Sequence, residues 1–195
     1  MTPAQRPAST VKRSLEYQAQ RWNGPDFFLL DYIPGPEGRG DPGRKLVRNF
    51  KAGDVLAAHV AANLVGAALL QRESRLLSGS SHWWLVPAPG HVAGPAGPSL
   101  DHLCRELSAT IPWVVYRPGL LLRTRQIRQS SNSVSRPSVA EHLQTLRWTG
   151  GHIDYPIMMV DDVYTLGRTS KACRLVLAAA GADNVFVACL AVTKK

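Results

Sequence analysis

The chain has 195 residues, of which 45% are hydrophobic and 19% charged, so its composition excludes a disordered protein and allows one α/β domain with a full core. The formal net charge of +9 fits phosphate-rich ligands, small or polymeric, without choosing between them. Its three cysteines form no Cys-x-x-Cys pair, and neither a secretory signal nor a membrane-length apolar run is present. We therefore expect a cytoplasmic protein with reduced thiols and no membrane contact.

The order of predicted elements indicates the fold class. Residues 1–22 are polar and are predicted to form a loose tail, which leaves residues 23–195 as a single domain. Apolar stretches near residues 27, 83, 112, 157 and 185 predict strands, and helical patterns separate most of them. Such alternation predicts an α/β fold with a mainly parallel central sheet and helices on both faces.

Four helices are predicted with a defined buried face. The first follows Asp54 as N-cap and the second begins at Ser99, while a capping box at Ser138–Glu141 starts the third. The fourth follows residue 170 and ends at Gly181 as a left-handed cap. The spacing predicts these inward-facing residues, helix by helix: Leu56, Val60, Leu64 and Ala67; Leu100, Leu103, Cys104 and Leu107; Val139, Leu143 and Leu146; Ala172, Leu175, Val176 and Ala179.

The stretch Pro156–Ser170 carries the clearest chemistry in the sequence. An apolar run, Ile157–Val160, predicts a buried strand that ends in two adjacent carboxylates, Asp161 and Asp162. A turn rich in hydroxyl groups and glycine then leads into a helix, whose first N–H groups and positive dipole end favour an anion. Carboxylates can accept hydrogen bonds from hydroxyl groups, so the stretch predicts a site for a sugar phosphate.

The run Val160–Thr169, V-D-D-V-Y-T-L-G-R-T, resembles the phosphoribosyl-pyrophosphate (PRPP) motif of the type I phosphoribosyltransferases. The resemblance implies the type I phosphoribosyltransferase fold and gives Asp161 and Asp162 the catalytic role of holding the ribose hydroxyls. It also implies Mg²⁺ as cofactor, held mainly through PRPP and without direct protein ligands. Five residues would cradle the 5-phosphate: Thr165, Leu166, Gly167, Arg168 and Thr169.

Residues 27–70 are similar to the front half of ComF-type phosphoribosyltransferase-like proteins, which are linked to DNA uptake. The similarity depends on six residues: Leu46, Val47, Phe50, Lys51, Gly53 and Asp54. Two features of that subgroup are missing, the N-terminal zinc module and the arginine-containing cluster expected within residues 92–98.

Two further segments belong to the pyrophosphate side of the implied site. The strand His82–Pro87 leads into Ala88, Pro89 and Gly90, which either form an anion-binding loop or simply end the strand. Residues 117–137 lack periodicity and are predicted to form a flexible loop, either one that closes over the site or a solvated, nucleic-acid-facing one. Its candidate pyrophosphate contacts are Arg123, Arg125 and Arg128.

The resemblance implies a phosphoribosyltransferase that uses PRPP and Mg²⁺, transfers phosphoribose to an unidentified nucleobase or nucleotide acceptor, and releases pyrophosphate. The alternative is a PRPP- or nucleotide-binding, DNA-associated protein of ComF type without transferase turnover. Its partner would be single-stranded DNA, bound through the arginine-rich segment 117–137, here termed the basic loop. A third reading is hydrolytic use of the site on a nucleotide. The sequence leaves a homodimer open.

Overall fold

The computed structural model of the chain describes residues 26–33, 36–38, 40–76, 80–128 and 136–193. The predicted tail at residues 1–22 and the central part of the predicted flexible loop, 129–135, lie outside the described residues. The strands in chain order are β1 (Phe27–Tyr32), β2 (Trp83–Pro87), β3 (Val114–Tyr116), β4 (Leu121–Arg123), β5 (Leu146–Trp148), β6 (Ile157–Tyr164) and β7 (Val185–Thr193).

Five of these strands form an all-parallel central sheet in the order β1–β7–β6–β2–β3. The helices are α1 (Pro42–Lys51), α2 (Val55–Leu70), α3 (Glu73–Leu76), α4 (Pro98–Thr110), α5 (Val139–Leu143) and α6 (Arg168–Ala179), with a short 3-10 turn at Pro36–Gly38. One apolar core lies between the sheet and α1, α2 and α4, and a second lies between the opposite face and α6. The predicted α/β class with helices on both faces of a parallel sheet is confirmed.

Several predicted helix ends are also confirmed. The Asp54 carboxylate accepts a hydrogen bond from the N–H of Ala57 at 2.9 Å, and Ser138 and Glu141 form the reciprocal capping box. Gly181 follows α6 with φ of +102°, in the left-handed region. The helix predicted from Ser99 begins one residue earlier, after Gly97, and the Ser99 hydroxyl donates instead to the carbonyl of Phe50.

Three predicted buried faces are wrong in part. In α2, Leu56, Val60 and Ala67 are exposed, because a row of alanines packs against the core in their place. In α6, Leu175 and Ala179 are exposed, while the buried residues are Ser170, Ala172, Cys173 and Leu177. In α5, Leu143 is exposed, His142 is the buried residue, and Leu146 belongs to β5. In α2 nearly every side chain is apolar, so helical spacing alone fits more than one face.

The predicted loop 117–137 is partly a strand. Leu121–Arg123 pairs antiparallel with Leu146–Trp148, and this small sheet supplies Leu121 and Leu146 to the second core. A three-residue strand whose partner lies more than twenty residues away has too little local pattern to be recognised.

Within the described ranges, no single helix is long and apolar enough to cross a membrane. Helices α1 and α2 reach the necessary length and hydropathy only when taken together, and a bend of 118° separates them.

Candidate functional site

The candidate site lies where the winding of the sheet reverses direction. From β2 the chain moves outward to β3, and it returns to β6 on the other side of β2 before continuing to β7. Ligands of open α/β sheets bind beyond the carboxyl ends of the strands at such a reversal. Both loops that the sequence singled out, the one after Pro87 and the one after Tyr164, begin at this edge.

Strand β6 extends further than the apolar run predicted. It was expected to end at Val160, but it continues through both carboxylates to Tyr164. Pairing with β2 ends at Val160, whereas pairing with β7 continues to Tyr164. The last four residues of β6, from Asp161 to Tyr164, therefore form an overhang that is paired on one side only.

Within this overhang the two carboxylates point in opposite directions, because successive side chains of a strand alternate between the faces of the sheet. Asp161 lines a pocket on the α6 side. Asp162 lies 3.2 Å from the ammonium group of Lys51 at the end of α1, on the other side. The two acids were predicted to act together on one ribose, and here they occupy separate surroundings.

The environment of Asp161 makes this acid hard to ionise. Burial, followed by the neighbouring charge of Asp162, raises its pKa to about 7. One of its oxygens accepts a hydrogen bond from the backbone N–H of Asp162 at 2.8 Å, and the charge of Lys51 opposes the shift in part. Near neutral pH, Asp161 can therefore either donate or accept a proton in a hydrogen bond to a ligand.

The turn after β6 leads directly into α6. Gly167 is the N-cap residue, with φ of +65° and no side chain to satisfy the first N–H groups of the helix. A Cβ atom at this position would lie 2.2 Å from the hydroxyl oxygen of Tyr164. The backbone angle therefore favours glycine, and any larger residue would also displace the Tyr164 side chain. The open helix start suits an anion.

A pocket opens at this helix start. Its walls combine the turn with residues from the end of the basic loop and from α5: Arg136, Pro137, His142, Asp161 and the run 163–170. The five residues predicted to cradle a phosphate all line it: Thr165, Leu166, Gly167, Arg168 and Thr169. The Arg168 side chain donates to the carbonyls of Arg136 and Pro137, which ties the end of the basic loop to the turn.

A buried histidine connects this pocket to the rest of the site. His142 is 2% exposed, and burial together with the charge of Arg123 lowers its pKa to about 4, so the ring is neutral. Its Nδ1 atom lies 3.2 Å from the Arg123 guanidinium, which can only donate, so Nδ1 is the acceptor. The ring proton is therefore on Nε2, which lies 3.5 Å from the Thr169 hydroxyl.

Arg123 is the centre of a buried polar network. Its guanidinium donates to the carbonyl of Gly90, to the hydroxyl of Thr145 and to His142. Only 1% of Arg123 is exposed, and burial lowers the pKa of its guanidinium. Arg123 was predicted as a pyrophosphate contact, but it has almost no surface for a ligand and instead joins the loop after β2 to the pocket.

The remaining residues on the predicted pyrophosphate side do not line the pocket. Ala88 and Pro89 are buried, and the N–H of Ala88 donates to the carbonyl of Val160 at 2.8 Å. Arg128 is paired with Glu141 at 2.6 Å. The hydrogen bond from the Ser138 backbone N–H, followed by this pair, lowers the pKa of Glu141 to about 2. Arg125 is exposed.

Sequence reasoning missed His142 as a site residue and did not single out Arg136 for the site. For His142 a signal existed, because it follows Val139 by three residues and so shares its face of the helix. For Arg136 the sequence offered only its membership of the basic loop.

A scan of the sequence against protein-family models finds no match, and no curated protein is significantly similar to the chain.

Proposed function

We propose that the chain binds PRPP with Mg²⁺ in this pocket and transfers its phosphoribosyl group to an acceptor, as a protein of the type I phosphoribosyltransferase fold. The observation that carries the proposal is the glycine-capped turn after β6, which opens α6 beside a carboxylate at the reversal point of the sheet. The acceptor class proposed is a nucleobase or nucleotide.

The 5-phosphate would bind at the start of α6. The first N–H groups of the helix and the hydroxyl groups of Thr165 and Thr169 are hydrogen-bond donors at this point. Because the Nε2 proton of His142 points to the Thr169 oxygen, the Thr169 hydroxyl hydrogen is available to a phosphate oxygen. Arg136 in the same wall adds positive charge.

Asp161 would accept a hydrogen bond from a ribose hydroxyl, because it is the one of the two acids that lines the pocket. Mg²⁺ would be held mainly through PRPP oxygens, because this ion usually keeps several waters and binds substrate phosphates. The acceptor nitrogen would attack the anomeric carbon, and the bond from that carbon to pyrophosphate would break with its electron pair on pyrophosphate. No protein nucleophile is needed, and the protein would act by positioning and by electrostatic stabilisation.

A second candidate is PRPP or nucleotide binding without transfer, in a DNA-associated protein. Two observations favour it: Arg123 is buried and Arg128 is paired with Glu141, so neither guanidinium is directed to a leaving pyrophosphate. Single-stranded DNA would then be the partner of the basic loop, with an affinity that falls steeply as salt increases.

Calorimetric titration with PRPP, with and without Mg²⁺, tests the proposal. We expect Mg²⁺-dependent binding at micromolar PRPP, and release of pyrophosphate with one of a panel of nucleobases separates transfer from binding alone. The variant Gly167→Ala should lose binding at least tenfold, because its Cβ would displace the Tyr164 side chain that lines the pocket. Gly119→Ala is the matched control, since Gly119 has φ of +68° with no atom within 4 Å of the new Cβ.

No binding at millimolar PRPP by a folded wild-type chain would reject the proposal and direct the next assay to single-stranded DNA. The double variant Asp161→Asn with Asp162→Asn should abolish PRPP binding without unfolding the chain. Since only Asp161 lines the pocket, the single variant Asp161→Asn should account for most of that loss. Unchanged PRPP affinity in the folded double variant would remove both acids from the site.

A further inference from the structure

Ser170 is a buried serine in the wall of the pocket whose hydroxyl is unpaired. Only 3% of the residue is exposed, and it lies in the first turn of α6, after the N-cap residue Gly167. Within the part of the chain that the structure describes, the Ser170 hydroxyl has no hydrogen-bond partner. Its oxygen is not fully enclosed by protein, so the surface that it retains belongs to the pocket.

This hydroxyl differs from comparable hydroxyl groups elsewhere in the fold. Serine and threonine in helices often donate to a carbonyl three or four residues earlier. Thr110 of α4 does so, to the carbonyl of Glu106 at 2.9 Å. Ser108 of the same helix donates to the carbonyl of Val114 at 3.0 Å. Because buried polar groups are nearly always paired, an unpaired one in a pocket wall indicates that a ligand supplies the partner.

The neighbours of Ser170 on α6 show which side of the pocket it occupies. Ser170 and Cys173 are three residues apart, so they share one face of the helix, and both are buried. On the sheet, Asp161 pairs with Cys189, which belongs to the same core as Cys173. Burial, followed by the charge of Asp161, raises the pKa of the Cys173 thiol, so this face of α6 lies close to the acid. Ser170 is therefore on the Asp161 side of the pocket.

The pocket thus contains two sets of polar groups with different chemistry. The first N–H groups of α6 and the Thr169 hydroxyl are donors that suit an anion. Asp161 and Ser170 combine an acceptor with a hydroxyl that can both donate and accept. This second set suits a hydroxyl group of the ligand, since a phosphate would be repelled by the carboxylate charge.

We infer that Ser170 is a specificity-determining residue that binds, together with Asp161, a sugar hydroxyl of a pentose phosphate. The inference rests on the proposed function, because it takes the phosphate at the start of α6 as given. It supplies a second partner for the sugar, which Asp162 does not, since Asp162 pairs with Lys51 on the other side of the sheet. A ligand without the sugar hydroxyl would leave the serine unpaired and should bind more weakly.

Titration of the full chain with ribose 5-phosphate and with methyl phosphate, followed by NMR, separates the sugar from the phosphate. The wild type should bind ribose 5-phosphate more tightly than methyl phosphate. Ser170→Ala should bind ribose 5-phosphate about tenfold more weakly and methyl phosphate as the wild type does. Thr169→Ala removes a hydroxyl at the helix start, so it should weaken the binding of both ligands by similar factors.

The thermal midpoint of the free chain gives a second measurement. Ser170→Ala removes an unpaired hydroxyl, so the midpoint should rise or stay within about 1 °C of the wild type. Ser108→Ala is the matched control, because the Ser108 hydroxyl donates to the carbonyl of Val114 and accepts from the N–H of Tyr116 at 3.1 Å. Its removal should lower the midpoint by about 2–4 °C.

Three results would overturn the role of Ser170 without touching the proposed function. They are unchanged binding of ribose 5-phosphate by Ser170→Ala, an equal loss of methyl phosphate binding, and a midpoint as low as that of Ser108→Ala. If the wild type binds ribose 5-phosphate with the expected Ser170 effect but does not bind PRPP, the proposed function is rejected and this inference stands. A folded wild-type chain that binds none of these phosphates would overturn both.

Discussion

Asp161 and Asp162 are neighbours in the chain, yet they belong to opposite sides of the molecule. Asp161 lies on the α6 side and lines the pocket with Thr169, His142 and the helix start, and its pKa is raised to about 7. Asp162 lies on the α1 side, in an ion pair with Lys51 that is partly open to water. A strand that continues past its apolar run converts an acidic pair into two separate acids.

The two sides of the sheet differ in how their charged side chains are stabilised. On the α6 side, a half-buried carboxylate and a buried guanidinium are both held by neutral hydrogen-bond partners. On the α1 side, two opposite charges pair at the surface, where such pairs contribute little. Substitutions on the α6 side should therefore have the larger effects on stability.

The largest effect is expected for Arg123→Met. Removing the guanidinium leaves the Gly90 carbonyl, the Thr145 hydroxyl and His142 Nδ1 without their donor, at a cost of about 2–4 kcal/mol in the free energy of unfolding. Urea denaturation measures it. Arg125→Met, at an exposed arginine two residues away, should change stability by less than about 0.5 kcal/mol. Equal stability of the two variants would mean that the buried network does not form.

The second effect is a pH dependence that only Asp161 should produce. Its pKa is raised from 3.8 to about 7 in the fold, so the folded chain holds a proton that the unfolded chain releases. This contribution to the free energy of unfolding is therefore present at low pH and is lost as the pH rises from about 4 to about 7. Asp161→Asn should remove the loss and stabilise the chain at pH 8 by about 2 kcal/mol, a figure reduced for partial exposure.

The variant Asp162→Asn tests the same difference between the two acids. It removes a negative charge that helps to raise the folded-state pKa of Asp161, so the pH-dependent loss should still begin near pH 4 but should be smaller and end at lower pH. Thermal unfolding of the wild type and both variants from pH 4 to pH 8 distinguishes the acids. Parallel profiles for wild type and Asp161→Asn would contradict the assignment of the raised pKa.

The smallest effect is expected for Lys51→Met. The Lys51 side chain is 48% exposed, so loss of its pair with Asp162 should cost less than about 1 kcal/mol. The same substitution should move the Asp161 transition to higher pH, because the charge of Lys51 lowers the pKa of that acid. Lys171→Met, at an exposed lysine of α6, serves as control in the same thermal unfolding series. A loss above about 2 kcal/mol in the free energy of unfolding would contradict the description of this ion pair as exposed.

Much of the fold could be predicted from local pattern. Strand Phe27–Tyr32 is a short, mostly apolar run between Pro25 and Pro34, and Trp83–Pro87 is one that ends in prolines. Asp54 and Ser138 are N-caps with their expected hydrogen bonds. The turn at Gly167 is equally local, since its glycine is required by the backbone angle of the residue itself.

What could not be predicted depends on contacts between distant segments. Acids that directly follow an apolar run usually mark the end of a strand, so Asp161 and Asp162 were expected to follow the strand. They belong to β6 because its pairing with β7 continues past them. The residues around Arg123 have the composition of a solvated loop. Arg123 is buried because β4 pairs with β5. A pattern within one segment carries no information about a partner strand elsewhere in the chain.

The overhang of β6 predicts an uneven rate of amide hydrogen exchange within one strand. The amides of Asp161 and Val163 point to β7 and should exchange only when the sheet opens. The amides of Asp162 and Tyr164 point to the other side, beyond the end of β2, where Asp162 is shielded by a single carboxylate oxygen of Asp161. Alternate residues should thus exchange slowly and quickly, and a ligand that covers this edge would slow the quick ones first.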